Sequence, residues 1–325
     1  MIDVAVVGAG PCGLAAAIAA QRAGLRAVTY DASCLVSGIY GYPTDLVFFS
    51  TAEKLAIGGV PFLCAADKPT RRDALAYYRG VAAHFVLDLR LYERVERIAP
   101  ERGGFTLHTR PLGGDPRVER AAAVVIATGY FGRPNLLKVP GEDRPHVTHF
   151  FHEGHVGFAQ DVVVVGGGNS AVEAALALHR AGARVTIVHF APALDPNIKP
   201  WVLPDISGRI AEGAIGTRFG SRVTAIEAEH VVIAGPAGAE RLPARHVYLM
   251  VGYQPNTALL EQLGVPIDRE TGIPAHDPAT METSVPGVFI AGVLASGFAA
   301  NKTFIENGRH HGDLIAAHLA PAPIS

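Results

Sequence analysis

The feature that most constrains this chain is a pattern it carries twice. Val4-Ala5-Val6-Val7 runs into Gly8-Ala9-Gly10-Pro11-Cys12-Gly13, and Val162-Val163-Val164-Val165 runs into Gly166-Gly167-Gly168-Asn169-Ser170-Ala171. Each apolar run is strand-like and ends in glycines. Each continues into an alanine-rich stretch, Leu14 to Ala23 and Val172 to Ala181, closed by Gly24 and Gly182 where a left-handed C-cap would sit. Further apolar runs, Ala27 to Tyr30 and Val185 to His189, complete two β-α-β units, which pair their strands in parallel through right-handed crossovers. The fold class that follows is α/β with two Rossmann-like dinucleotide-binding domains. A length of 325 residues leaves room for both, since one domain takes roughly 100 to 200 residues.

The glycines of such a turn have separate causes. The first permits the turn, the second lets a phosphate approach the backbone, the third lets helix pack on strand, and the helix N-terminus supplies donors and a favourable dipole. Gly8, Gly10 and Gly13 fill these places in the first unit. Asp31 closes its second strand near the spacing of roughly 20 residues at which an acid accepts from ribose hydroxyls. In the second unit Gly166, Gly168 and Ala171 give the GxGxxA form, with Asn169 or Ser170 expected to cap the helix while meeting a phosphate. Its second strand ends in His189 and Phe190, with no acid there to accept from a 2'-hydroxyl. That leans the second unit toward NADPH, with Lys199 and Arg184 as candidate cations for the 2'-phosphate.

Between the units a helix is expected from Thr70 to Phe85, and β-like runs end in Ala123 to Thr128. Gly129, Gly132, Pro134, Pro140 and Gly141 mark a crossing between domains, and Gly252-Tyr253-Gln254-Pro255-Asn256 marks the crossing back. The second unit therefore reads as an insertion: residues 1–131 and 252–325 form one domain and residues 132–251 the other. A last helix is expected from near Asn301 to Leu319.

A net charge of -2 gives no global attraction for nucleic acid or an anionic membrane. Cys12, Cys34 and Cys64 are an odd number at wide spacing, which fits neither a disulfide framework nor a zinc site and favours a reducing compartment. With no basic leader before Val4 and no run of about 18 apolar residues, a cytoplasmic location is expected. His149, His152 and His155 lack carboxylates in a metal-binding pattern, so no metal is expected.

Two such sites in this order, joined by Ala127-Thr128-Gly129 and followed by Gly287-Val288-Phe289-Ile290-Ala291-Gly292, resemble a thioredoxin-reductase-like pyridine-nucleotide flavoprotein over essentially the whole chain. The resemblance implies FAD on the first unit, NADPH on the second, and hydride passing from nicotinamide to flavin and on to a disulfide. The chain departs from thioredoxin reductases in lacking a CxxC pair and in carrying Val293 where they carry an Asp that bonds the flavin's ribityl chain. Gly10-Pro11-Cys12-Gly13, Tyr42-Pro43-Thr44, Phe48-Phe49-Ser50-Thr51, Lys199-Pro200-Trp201 and Asn301-Lys302-Thr303-Phe304-Ile305-Glu306-Asn307-Gly308-Arg309 are similar instead to the bacillithiol disulfide reductase family. That resemblance implies NADPH-driven reduction of a small-molecule disulfide, bacillithiol disulfide, with Cys12 at the place of a cysteine suspected of taking part. Members usually carry Arg where Phe190 stands.

Flavin-side candidates are then Gly8, Gly10, Pro11, Cys12, Gly13, Asp31, Ser50, Thr51, Val95, Thr128 and Gly129, together with Gly292, Val293 and Thr303 from a late segment whose backbone donors would stabilise negative charge on the reduced ring. Nicotinamide-dinucleotide candidates are Gly166, Gly168, Asn169, Ser170, Ala171, His189 and Lys199. Cys12 sits in the first turn of a helix, where the dipole is expected to hold a thiolate below the free value of about 8.5, as suits a nucleophile. Cys34 and Cys64 read as quiet packing residues, and His310 and His311 as a solvated or interface pair. Three other functions share the architecture. A flavin monooxygenase would show FxGxxxH, which Phe151-His152-Glu153-Gly154-His155 misses in spacing; a ferredoxin reductase would show a basic docking face; a redox sensor would not be reduced by NADPH. By analogy with the flavoproteins it resembles, the chain is expected to be a homo-oligomer.

Overall fold

The computed structural model describes residues 1–299 and 302–320. In chain order it opens with β1 (Ile2–Val7), α1 (Pro11–Arg22), β2 (Ala27–Tyr30), the short helices α2 (Ser37–Tyr40) and α3 (Ala52–Leu55), α4 (Arg71–His84), and β3 (Asp88–Arg90), β4 (Glu93–Glu101), β5 (Gly104–Pro111) and β6 (Arg117–Ile126). There follow β7 (Val147–Thr148), β8 (Asp161–Val165), α5 (Asn169–Arg180), β9 (Arg184–His189), α6 (Leu203–Ala211), β10 (Gly216–Phe219), β11 (Arg222–Ile226), β12 (His230–Gly235), β13 (Gly238–Pro243) and β14 (His246–Leu249). The last elements are α7 (Ala258–Gln262), β15 (Val288–Ile290), α8 (Ile305–Gly308) and α9 (His311–Leu319). None of the described helices is long and apolar enough to cross a membrane.

The chain forms two compact units. One comprises residues 1–40, 46–133 and 254–325, the other Gly41–Asp45 and Pro134–Tyr253. Residues 41–45 differ from the sequence expectation, which kept them in the first unit. Within the second unit the Thr44 amide donates to the His152 carbonyl at 2.8 Å, a backbone bond that no local pattern announces.

In the first unit β3, β2, β1 and β6 run parallel, in that order. β6 is long enough to serve two partners along its other side: its first half pairs antiparallel with β5, and its last residues, Val124 to Ile126, pair in parallel with β15. β1 is buried at five of its six positions, because both sheet faces are covered, and so reads as a continuous apolar run rather than an alternating one. α1 starts with Pro11, whose missing amide would have been orphaned there anyway, and ends where Gly24 takes a φ of +79° and the Leu25 amide returns to the Ala20 carbonyl. α9 crosses α1 so closely that a Cβ on Gly312 would lie 2.6 Å from the Ala16 Cα. The single late helix expected from Asn301 to Leu319 is in fact two, α8 and α9, divided after Gly308; Asn301 lies outside the described residues.

In the second unit five parallel strands take the order β10-β9-β8-β14-β7, and β11, β12 and β13 form a separate antiparallel sheet. The alternation of a strand decides what each face of β8 meets. Val162 and Val164 pack with Ala171, Ala175 and Leu178 of α5, while Val163 and Val165 pack with Val223, Ile226, Val231 and Ile233 of the antiparallel sheet. Four consecutive valines are needed because both faces are core.

Candidate dinucleotide sites

In a parallel sheet the strand C-termini share one edge, and ligands bind outside it. In the first unit that edge gathers Gly8 after β1, Asp31 after β2, Ala127 to Gly129 after β6, and Ala291 and Gly292 after β15. Gly8 holds a φ of +115°, and a Cβ there would lie 2.3 Å from the Ala127 carbonyl oxygen; a Cβ on Gly13 would lie 1.9 Å from the Gly8 oxygen. Both glycines are demanded by the protein itself. Gly10 is different: no described atom comes within 4 Å of where its Cβ would be. A residue kept bare beside open space, at a helix N-terminus with no side-chain cap, fits a pyrophosphate laid against the backbone.

Asp31 accepts from the Ala9 amide at 2.9 Å and the Ser33 amide at 2.8 Å, which fixes its carboxylate against the glycine turn while leaving lone pairs for a further donor. The Glu93 amide donates to the Asp31 carbonyl at 2.8 Å, bringing the start of β4 to the same place. Val95, two residues on, is buried in the core. The Thr128 hydroxyl donates to the Asn256 carbonyl at 2.9 Å and Gly129 turns with a φ of +72°. Ser50 donates to Glu306 at 2.9 Å, and Thr51 precedes α3 as its N-cap and donates to Glu53. The Arg309 guanidinium donates to the Glu53 and Ala56 carbonyls, so the Ser50 segment is tied to α8 and the residue after it.

The late segment also surrounds Cys12. A Cβ on Gly308 would lie 2.9 Å from the Cys12 Sγ, and one on Gly292 would lie 3.1 Å from it. Burial in this setting pushes the Cys12 thiol up to about 12, opposite to the lowering expected from the helix dipole. The correction has a plain cause: removing a thiolate from water costs more than the first turn of a helix returns. Gly292, with a φ of +76°, donates its amide to His311 Nδ1 at 3.1 Å, and Val293 follows it in a single 3-10 turn. Thr303 and Ser296 share a hydroxyl-hydroxyl hydrogen bond. His311 is therefore no solvated surface group. Burial first, then the neighbouring His276 and His310, push it down to about 4, and it stands neutral against the Gly292 turn. Neither Gly308 nor His311 carries a sequence signal for this, since their partners lie far off in the chain.

The second unit repeats the turn. Gly166 holds a φ of +137° with its would-be Cβ 2.3 Å from the Met250 carbonyl oxygen, and the Ala171 methyl packs on it, while Gly168 faces open space as Gly10 does. The expected capping by Asn169 or Ser170 is corrected: Gly168 is the N-cap and no side chain caps the helix. Asn169 instead accepts from the Lys199 amide at 2.9 Å and donates to the Asn197 carbonyl at 3.2 Å, clasping the loop after β9 to the helix start. Lys199 holds its ammonium 5.9 Å from the Trp201 ring centroid. Arg184 is corrected as a phosphate candidate: it begins β9, at the far end from the glycines, and grips Asp161 through two hydrogen bonds of 2.7 and 2.8 Å. His189 packs so tightly that a Cβ on Gly167 would fall 2.5 Å from its ring. This explains the extra glycine, which the sequence displays without its reason. His189 is 8% exposed and its Nδ1 has no partner among the described residues, an orphaned buried polar atom beside the bare turn. Desolvation lowers its pKa, so the ring is neutral there. The open backbone of Gly168 and this orphan together fit a second dinucleotide.

The family model for pyridine nucleotide-disulphide oxidoreductases matches residues 5–292. The bacilliredoxin reductase of Bacillus subtilis is 43% identical over 97% of this chain and 96% of its own. The solved bacillithiol disulfide reductase of Bacillus cereus superposes with a TM-score of 0.96 at 42% identity, covering 98% of each chain. The thioredoxin reductase of T. acidophilum, at 24% identity, superposes over 100% of this chain and 99% of its own with a TM-score of 0.76, which marks the fold as thioredoxin-reductase-like.

Proposed function

Because the chain belongs to the pyridine nucleotide-disulphide oxidoreductase family, as an NADPH-dependent flavoprotein reductase that uses FAD and NADPH, we propose that its electron acceptor is the disulfide of a low-molecular-weight thiol, bacillithiol disulfide. The observation that carries the two-site reading is the pair of bare glycines, Gly10 and Gly168, each kept without a side chain where nothing in the protein requires it. We assign FAD to the first unit, residues 1–40, 46–133 and 254–325, and NADPH to the second, residues 41–45 and 134–253. When bound, FAD accepts hydride from NADPH and delivers two electrons to the disulfide. Gly8, Gly10, Pro11 and Gly13 shape the pyrophosphate turn, Asp31 receives ribose hydroxyls, and Ser50, Thr51, Val95, Thr128, Gly129, Val293 and Thr303 line the flavin side. Gly292 presents its turn from a neutral His311. Gly166, Gly168, Ser170 and Ala171 would hold the second pyrophosphate, with His189 beside the turn, while Asn169 fixes the loop that carries Lys199.

Cys12 is the sulfur this site offers to a disulfide. Burial holds it as a thiol, so its proton must leave first. The thiolate would then bond to one sulfur of the substrate, break the S–S bond and release the other half as a thiol; two electrons from the reduced flavin would be needed to free the remaining half and restore Cys12. Turnover carried by Cys12 is therefore expected to rise with pH through the neutral range. In keeping with the near-neutral charge, we read the chain as a cytoplasmic homo-oligomer with a small-molecule substrate and no nucleic-acid or membrane partner.

The test is anaerobic: NADPH is added to the FAD-loaded protein, flavin absorbance is followed, and bacillithiol disulfide is then supplied, with bacilliredoxin disulfide, glutathione disulfide and ferredoxin in parallel. Bleaching with recovery only on bacillithiol disulfide is the expected result. Recovery only on the bacilliredoxin disulfide would move the acceptor to the one for which the B. subtilis relative is named. In Cys12→Ser, bleaching by NADPH is expected to persist while recovery slows about tenfold or more; unchanged recovery would assign Cys12 to packing alone.

A further inference from the structure

We propose that Arg222 is the residue that recognises the 2'-phosphate of NADPH. The inference rests on the second unit being the NADPH site. In such a unit the end of the second strand faces the adenosine ribose, and here that end is His189 followed by Phe190, whose ring is 60% exposed. The Arg222 guanidinium lies over that ring, 4.9 Å from its centroid.

The placement is built into the backbone. β10 runs parallel beside β9, pairing Phe219 with His189, so both strands end at the same edge. The chain then turns, and the Gly220 amide donates to the Ala191 carbonyl at 2.9 Å while the Ser221 amide donates to the His189 carbonyl at 3.0 Å. These two bonds bind the residues just before Arg222 to the residues on either side of Phe190.

The neighbouring Arg218 is committed elsewhere, held by Glu240 through hydrogen bonds of 2.6 and 2.7 Å. No salt bridge among the described residues involves Arg222, whereas Arg218 and Arg241 are paired with Glu240 and Glu227. A guanidinium stacked on an aromatic face keeps its edge donors available, and those donors match phosphate geometry in a way an ammonium cannot. The ring of Phe190 thus serves as a rest that pre-positions a cation arriving from another strand.

The test uses the full FAD-loaded protein and calorimetric binding of NADP+ and of NAD+, which differ only in the 2'-phosphate. In Arg222→Gln the dissociation constant for NADP+ is expected to rise about tenfold or more, with that for NAD+ unchanged. Arg222→Lys keeps the charge without the planar fork and is expected to fall between. Equal weakening of both ligands, or of neither, would overturn the assignment. Gly168→Asp separates the two levels of the argument: it is expected to abolish binding of both ligands. If both still bind Gly168→Asp at parent affinity, the second unit is not the dinucleotide site and both readings fall; if both are lost there while Arg222→Gln changes nothing, only the role of Arg222 falls.

Discussion

At the end of β2 stands Asp31, its carboxylate drawn back onto the Ala9 and Ser33 amides; at the corresponding end of β9 stands His189, an uncharged ring pressed against Gly167. Both strands follow a glycine turn of the same design, with a first glycine at positive φ under a carbonyl of a neighbouring strand and a middle glycine facing open space. What differs is the group that closes the pocket, and that difference is chemical. A carboxylate accepts from two ribose hydroxyls and repels a phosphate at the same place, whereas a neutral ring accepts little and repels nothing. On the proposed assignment, this position is one at which a shared turn would favour FAD in one unit and NADPH in the other.

The comparison breaks most visibly at the glycines. Gly13→Ala places a methyl carbon against the Gly8 carbonyl and is expected to cost about 3 kcal/mol or more, leaving little folded, flavin-loaded protein, while Gly10→Ala meets no protein atom and is expected to keep the melting temperature but weaken FAD binding. Thermal unfolding and the ratio of flavin to protein absorbance check both. Equal losses in the two variants would mean that Gly10 has a structural role after all.

The second unit offers a sharper probe. Gly167→Ala is expected to destabilise by about 1 to 3 kcal/mol, and combining it with His189→Ala should recover much of that loss, because the contact at fault is removed. Additive effects would show that the ring can move aside unaided.

The smallest effects are those of pH. The raised Cys12 pKa means that the fold favours the thiol, so its stabilisation is complete below the ordinary value of 9.0 and is lost as pH climbs toward about 12. The lowered His311 pKa works in the other direction: stabilisation is present above 6.5 and is lost as pH falls toward about 4. Chemical denaturation across pH should therefore show an alkaline loss that Cys12→Ser reduces and an acid loss that His311→Gln reduces.

The glycine turns, their helices, Asp31 and the inserted order of the units could be read from the sequence because each is a local pattern with a local cause. α4, framed by Thr70 and Phe85, was legible for the same reason: Thr70 and Asp73 close a capping box within one turn. The environment of Cys12 was not. Its neighbours Gly292 and Gly308 enter from the far end of the chain, and helix position alone gave the wrong sign for its pKa. The same holds for His311, read with His310 as a solvated or interface pair until its contact with the Gly292 amide is seen. Asn169 misled in another way, since a helix-start asparagine has several partners within reach and the sequence cannot say that the loop near Lys199 takes it.

The crossing of α9 over α1 at Gly312 also bears on when the protein can fold. The core of the first unit joins Ile2, Val4 and Ala16 to Leu260, Phe289 and Ile315, residues at opposite ends of the chain. A ribosome delivers the N-terminal half first, and contacts of such long sequence separation cannot close until the last residues have emerged. The second unit is continuous from Pro134 to Tyr253 apart from the five residues at Gly41–Asp45, so nearly all of it is available earlier. During synthesis the apolar β1 and α1 of the first unit therefore wait for core partners made about 250 residues later, and the interval exposes this unit to aggregation longer than the second.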